Sequence, residues 1–299
     1  MVRNLPVGTR LRILNLYPRQ MNIYGDFGNL LVLRQRAGWR GISTEVTHFE
    51  TDASLKQLRN TDIILGGGGQ DSGQAAVQKD MQRIARPLRN LVSAGCPALL
   101  VCGSYQLFGN YFKTFEGDVV EGIGIFNLHT LGGPERMIGN TVVNSPDFGE
   151  LIGYENHSGK TYLGAGLEPL GRVITGSGNN GLDGSEGVRL NNALGTYLHG
   201  PLLPKNPQVA DFLLASALSR KLDRTIELPP LDNALTLQAR AVAKSRPRYR
   251  LKLLSTLPFS KNPSHRSYHS RAVSSVAWLA LWGTGLLGFL GLLGKLSDV

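Results

Sequence analysis

Cysteine is scarce in this chain, with Cys96 and Cys102 the two thiols in 299 residues. The six extended residue steps from one to the other would span roughly 20 Å, so the two sulfurs cannot bridge. Two cysteines without metal-ligand spacing also argue against a zinc site, and the six histidines have neither the spacing nor the acidic neighbours of a metal cluster. Nucleotide-binding signatures are missing as well: the glycines at 66–69 lack the GK[ST] ending of a P-loop and do not form G-x-G-x-x-G. The sequence opens without a basic and then apolar leader, which makes a reducing cytosol the expected compartment of the folded part. Acids are absent from one long stretch, because residues 240–271 carry nine basic side chains and no Asp or Glu.

That stretch explains a misleading total. The formal charge is +10, yet residues 1–239 hold 22 Lys and Arg against 21 Asp and Glu, while residues 240–299 hold 10 against Asp298 alone. The globular part is nearly neutral, so a nucleic-acid partner is not expected. Residues 272–294 then run for 23 positions without a charge, long enough as a helix to cross a membrane or to lie in its interface. Trp278 and Trp282 near the start suit interfacial anchoring, and the preceding basic run would face anionic lipid.

The first 220 residues alternate strand-like and helix-like stretches, the pattern of an α/β fold with a mainly parallel sheet covered on both faces. Residues 11–16, 42–48, 62–65 and 98–101 read as strands. Residues 71–94 place Val77, Met81, Ile84, Leu88, Leu91 and Val92 at helical spacing; Pro87 predicts a break or kink there, and Gly95 a stop. The Gly- and Asn-rich middle, 117–192, reads as loops with short antiparallel strands such as 137–143 and 188–190. Asn206-Pro207 predicts a capped helix start. We divide the chain into a domain at 1–227, a disordered basic linker at 228–271 and the apolar segment 272–294.

Cys102 follows the apolar run 98–101 and precedes Gly103-Ser104-Tyr105-Gln106-Leu107-Phe108-Gly109, an order that predicts strand, tight turn and helix. A thiol at that corner is held out of the sheet beside the free N–H groups of a helix start, which favours the thiolate. His199, ending a second apolar run, offers it a base. Gly66-Gly67-Gly68-Gly69 after a third strand serves as a tight turn, a phosphate cradle or an oxyanion hole; beside a nucleophilic cysteine the oxyanion hole is the strongest of these. His157, in Glu155-Asn156-His157-Ser158, reads as structural or as an interface residue.

Ile63–Gly68, Cys102–Gly109 and Gly195–Pro201 together resemble class I glutamine amidotransferases of the cobyric-acid-synthase type, with a flavodoxin-like domain. Leu16-Tyr17-Pro18, Met21–Asn29, Gly132–Asn140 and Gly153–Gly159 are similar to one branch, the glutaminase subunits of lipid II isoglutaminyl synthases. The resemblance covers about residues 11–220 and implies glutamine hydrolysis with Cys102 as nucleophile and His199 as base. It implies that Gly67 and Gly103 supply the oxyanion hole and that Arg136 and Gln106 bind substrate. No cofactor is implied for this chain; ATP and Mg belong to a MurT-like synthetase partner of the Mur-ligase family that acts on lipid II, at the cytoplasmic face of the membrane. Two positions depart from the pattern: Ser104 stands where glycine is common, and Pro201 occupies the place of the usual carboxylate two residues after the histidine. The branch implies that the partner supplies this acid. An amidotransferase for another acceptor, such as a corrinoid acid, and a non-catalytic membrane-tethered ligase partner are the rival readings.

Overall fold

The computed structural model describes residues 5, 6 and 8–246. Strand β1 (Arg10–Leu16) leads into helix α1 (Phe27–Gly38), followed by β2 (Ser43–Phe49) and β3 (Ile63–Gly66). Helix α2 (Asp71–Ser93), β4 (Ala98–Val101) and the short helix α3 (Gly103–Leu107) come next. Strands β5 (Tyr111–Lys113), β6 (Val119–Glu121), β7 (Leu128–Ser145), β8 (Gly149–Leu163), β9 (Gly171–Thr175) and β10 (Ser185–Glu186) follow. The described chain then closes with β11 (Val188–Leu190), β12 (Ala193–Thr196), α4 (Pro207–Leu222) and α5 (Ala234–Ser245).

The first sheet has the order β11-β12-β4-β3-β1-β2 and is parallel except for the β11–β12 edge pair. Every residue of β3, β4 and β12 is buried, which is why their sequences are continuous apolar runs rather than alternating ones. Their carboxyl ends lie side by side: Gly66 pairs with Leu100, and Thr196 with Val101. The residues that follow, the glycine run, Cys102 and His199, are therefore delivered to one edge of one sheet.

Helix α2 runs unbroken through Pro87, so of the expected break or kink the break does not occur. Its buried face, Val77, Met81, Ile84, Leu88 and Val92, continues on both sides of the proline, so packing on the core outweighs one lost backbone hydrogen bond. Gly95 ends the helix at φ +77°, as read. The expected asparagine cap of α4 is different too. Asn206 makes no cap bond and instead clamps β8, donating to Ile152 O and accepting from Ile152 N.

The middle of the chain builds a second sheet of its own, β10-β9-β7-β5-β6, with β8 paired to β7. Strands β7 and β8 form a long antiparallel hairpin whose register shifts between Gly132 and Met137. Part of the expected linker is ordered as α5, which has no buried residue and is held by Arg240 and Lys244 on Glu150 of β8. Just before it, Arg40 reaches Pro229 O while sharing Asp211 with Arg36, tying this stretch to α1 and α4. No helix among the described residues is long and apolar enough to cross a membrane, and residues 272–294 lie outside the described residues.

Candidate active site

Cys102 sits on the corner between β4 and α3 with φ +51° and ψ −107°, a conformation that non-glycine residues rarely adopt. Its N–H donates to Thr196 O at 2.9 Å, so the corner is fastened to the neighbouring strand that leads to His199. The turn is tight: a Cβ on Gly103 would lie 3.0 Å from the amide nitrogen of Gly69. Ser104, the departure from glycine, staples the corner, its hydroxyl donating to Gly67 O at 2.7 Å.

His199 is fully buried and backbone-paired to β8, donating its N–H to Tyr154 O and accepting from Tyr154 N. The edge of Tyr24 rests on its ring, with centroids 4.6 Å apart. Its Nδ1 lies 3.7 Å from Oδ2 of Asp26, a buried carboxylate that also accepts from Gly68 N–H at 2.7 Å. Burial alone would push His199 down, but the charge of Cys102 and the Asp26 carboxylate outweigh it and raise the ring to about 10. The arrangement favours an imidazolium at His199.

Asp26 is an acid within the chain that stands beside His199, where the resemblance implied one supplied by the partner. The position two residues past His199 is filled by Pro201, which packs so closely on Gly28 that a Cβ there would meet its Cγ at 2.5 Å. The same close contact brings the loop before α1 against His199, and Asp26 is the residue it presents. Sequence spacing could not reveal this, since the two residues are far apart in the chain.

A cavity of about 360 Å³ opens in front of Cys102, with Tyr24, Gly69, Asp71, Gln106, Arg136, Asn156 and His157 among its walls. Arg136 forks onto Asn156, with Nε and Nη2 reaching Oδ1 at 3.1 and 2.9 Å. Gln106 is also in the wall, but its amide is already engaged, accepting from Gln74 Nε2 and donating to Tyr197 OH. Neither of the two glycines expected to form the oxyanion hole, Gly67 and Gly103, lines this cavity, and Gly69 does. The reason is local: the Gly67 carbonyl is fixed by Ser104 and the Gly68 N–H by Asp26, which leaves the Gly69 amide next to Gly103. Among the described residues no group of three or more His, Cys, Asp or Glu side chains is placed to hold a metal.

Behind His199, Glu186 is fully buried and accepts from Thr196 Oγ1 and Tyr197 N–H, fixing the end of β12. Burial raises its pKa to about 7, despite those two hydrogen bonds. Between its ordinary value of 4.5 and 7 the folded chain keeps a proton that the unfolded chain has released, so stability falls as pH rises through that window. We expect Glu186→Gln, which keeps the acceptor, to remove this loss, on the order of 3 kcal/mol above pH 7. Thermal melts of both proteins from pH 4.5 to 8 check it; parallel curves would show that Glu186 ionises as freely folded as unfolded.

A strained cysteine in the wall of a polar cavity of amino-acid size, with a buried histidine beside it at the carboxyl edge of a parallel sheet, suits a glutamine-hydrolysing amidotransferase domain. The chain belongs to the CobB/CobQ-like glutamine amidotransferase family, matching its domain over residues 12–207. It is 39% identical over 232 residues to subunit GatD of the glutamine-hydrolysing lipid II isoglutaminyl synthase of Staphylococcus aureus strain N315, covering 78% of this chain and 94% of that one. Identity to the Streptococcus pneumoniae R6 GatD subunit is 35% over 231 residues, 76% of this chain and 88% of that one. The cobyric acid synthase of Thermodesulfovibrio yellowstonii is more distant, at 28% identity over 64% of this chain and 40% of its own length. In fold, the described chain matches a crystal structure of a glutamine amidotransferase with a TM-score of 0.50 at 16% identity, over 68% of this chain and 98% of that one.

Proposed function

We propose that this chain is the glutaminase subunit of a lipid II isoglutaminyl synthase, releasing ammonia for a MurT-like, ATP-dependent ligase that amidates the D-glutamate α-carboxyl of lipid II. The observation that carries the reading is the 39% identity to GatD across 94% of that subunit. The site supports it, with Cys102 and Arg136 sharing one cavity wall and a charged His199 beside Cys102.

In the reaction, the Cys102 thiolate attacks the glutamine carboxamide carbon, and the Gly69 and Gly103 N–H groups receive the negative charge on its oxygen. The C–N bond breaks as His199 gives its proton to the departing nitrogen, leaving ammonia and a glutamyl thioester. Neutral His199 then takes a proton from water, the resulting hydroxide attacks the thioester, and glutamate leaves as the thiolate re-forms. ATP and Mg act on the partner. The uncharged run 272–294, preceded by a basic stretch, would hold the assembly at the cytoplasmic face of the membrane, where lipid II lies.

Co-expression with a Mur-ligase-family synthetase tests the assignment. The purified pair should convert lipid II to its isoglutaminyl form using glutamine and ATP. Amidation of a corrinoid acid in place of lipid II, or glutamine hydrolysis that never reaches an acceptor, would overturn it. Within the same assay Arg136→Ala should raise KM for glutamine about 10- to 150-fold, through loss of a charge-assisted contact to the α-carboxylate. An unchanged kcat/KM would make Arg136 a clamp on Asn156 only.

A further inference from the structure

The described chain leaves several buried polar side-chain atoms at this site without a hydrogen-bond partner: both nitrogens of His199, Oδ1 of Asp26, Oε1 of Gln74 and Nε2 of His157. His199 and Asp26 belong to proton transfer. His157 has no part in that chemistry, yet it lines the same cavity.

The ring of His157 is 3% exposed and lies flat on Tyr197, with centroids 3.6 Å apart and 3° between the planes. Tyr197 is itself fixed through its hydroxyl by Gln106 and Thr161, so the stack is a rigid wall. Nδ1 of His157 meets the carbonyl oxygen of Gly159 at 2.7 Å. A carbonyl only accepts, so Nδ1 carries the proton and Nε2 a free lone pair. Protonating Nε2 is opposed by burial and by the positive charges of His199 and Arg136, which together push the ring down to about 3 in spite of the Gly159 bond. Nε2 is therefore a fixed acceptor, closed off from water and unpaired, at a cost that a bound donor would relieve.

Glutamine has two groups that need acceptors, its ammonium and its carboxamide N–H. Asp71, a carboxyl in the same wall and near enough to Arg136 to feel its charge, suits the ammonium of an α-amino acid whose carboxylate is on Arg136. His157 feels the charges of both His199 and Arg136, but its ring lies on Tyr197, two residues before His199, and this places it toward the reacting end, where the carboxamide must lie. We infer that His157 Nε2 accepts a hydrogen bond from the carboxamide N–H of bound glutamine and so selects glutamine over glutamate. A glutamate carboxylate would set oxygen lone pairs against the nitrogen lone pair, and the contact vanishes once ammonia has left, which helps product to go. The inference rests on the glutaminase reading above.

The full-length chain, wild type, His157→Phe and His157→Gln, provides the test. Phe keeps a flat ring for Tyr197 without a lone pair, while Gln can place an amide oxygen near the position of Nε2. Glutamine KM, competitive inhibition by glutamate, and labelling of Cys102 by 6-diazo-5-oxo-L-norleucine, a glutamine analogue without a carboxamide N–H, are measured for each. For His157→Phe, we expect the preference for glutamine over glutamate to fall at least about tenfold, with labelling within about threefold of wild type and partial recovery in His157→Gln. Equal weakening of glutamine and glutamate, or labelling that slows as much as hydrolysis, would overturn the inference by making His157 a general wall of the site. A wild-type chain that is not labelled at Cys102 would overturn the glutaminase reading itself, and this shows before any variant is made.

Discussion

Cys102→Ala should give a folded chain that releases no measurable ammonia from glutamine, a loss of about 10⁴-fold or more. The expectation follows from the position rather than from the residue type alone. The corner conformation at φ +51° sets the side chain off the sheet, and the cavity wall contains that thiol. Cys96 cannot replace it. It lies before the start of β4, at the end away from Cys102, where burial raises its thiol to about 12, and its Sγ sits against the carbonyls of Thr61 and Pro97. Alanine at 102 inherits the backbone strain and loses one buried atom, so the melting temperature should move by only a few degrees. A coupled ammonia assay and a thermal melt on the same sample give both readings. Hydrolysis within tenfold of wild type in a well-folded Cys102→Ala chain would remove the thioester from the mechanism.

The parts of this protein that are legible in the sequence are those where burial and local order coincide. Strands β3, β4 and β12 are buried on both faces, so their apolar runs announce both strand and sheet centre, and the residues following them announce the site. Cys102 and His199 come out of that reading together. The β7–β8 hairpin does not, because its two long strands are interrupted by glycine and asparagine and include a register shift. Pro87 misleads because a local rule about one hydrogen bond is overruled by a buried helix face on both sides of it. The sequence offers no choice between Gly67 and Gly69, because it depends on which way each peptide turns, and that is set by Ser104 and Asp26 from other segments. Helix α5 is hidden for the opposite reason: it buries nothing, and is held by basic side chains on Glu150 that sequence pattern reads as a solvated charge run.

Asp26→Asn should lower kcat for glutamine hydrolysis by about 10²- to 10⁴-fold with KM nearly unchanged, the range expected when a histidine loses its orienting carboxylate. Asparagine keeps an oxygen for the Gly68 N–H, so the loop stays in place and only the charge is removed. Without that charge, His199 loses one of the two influences that hold it up to about 10, and its pKa falls. The imidazolium that must protonate departing ammonia is then lost at a lower pH. The alkaline limb of the pH–rate profile should therefore move downward in the variant, a change that a merely structural role for Asp26 would not produce. Asp26→Glu, which returns the carboxylate on a longer arm, should recover part of both kcat and the alkaline limb. The same measurements on the complex with the ligase decide between an internal and an external acid. If Asp26 orients His199, the variant stays slow whether or not the partner is present. If adding the ligase brings Asp26→Asn to the wild-type rate, the orienting carboxylate belongs to the partner and Asp26 only anchors the glycine loop.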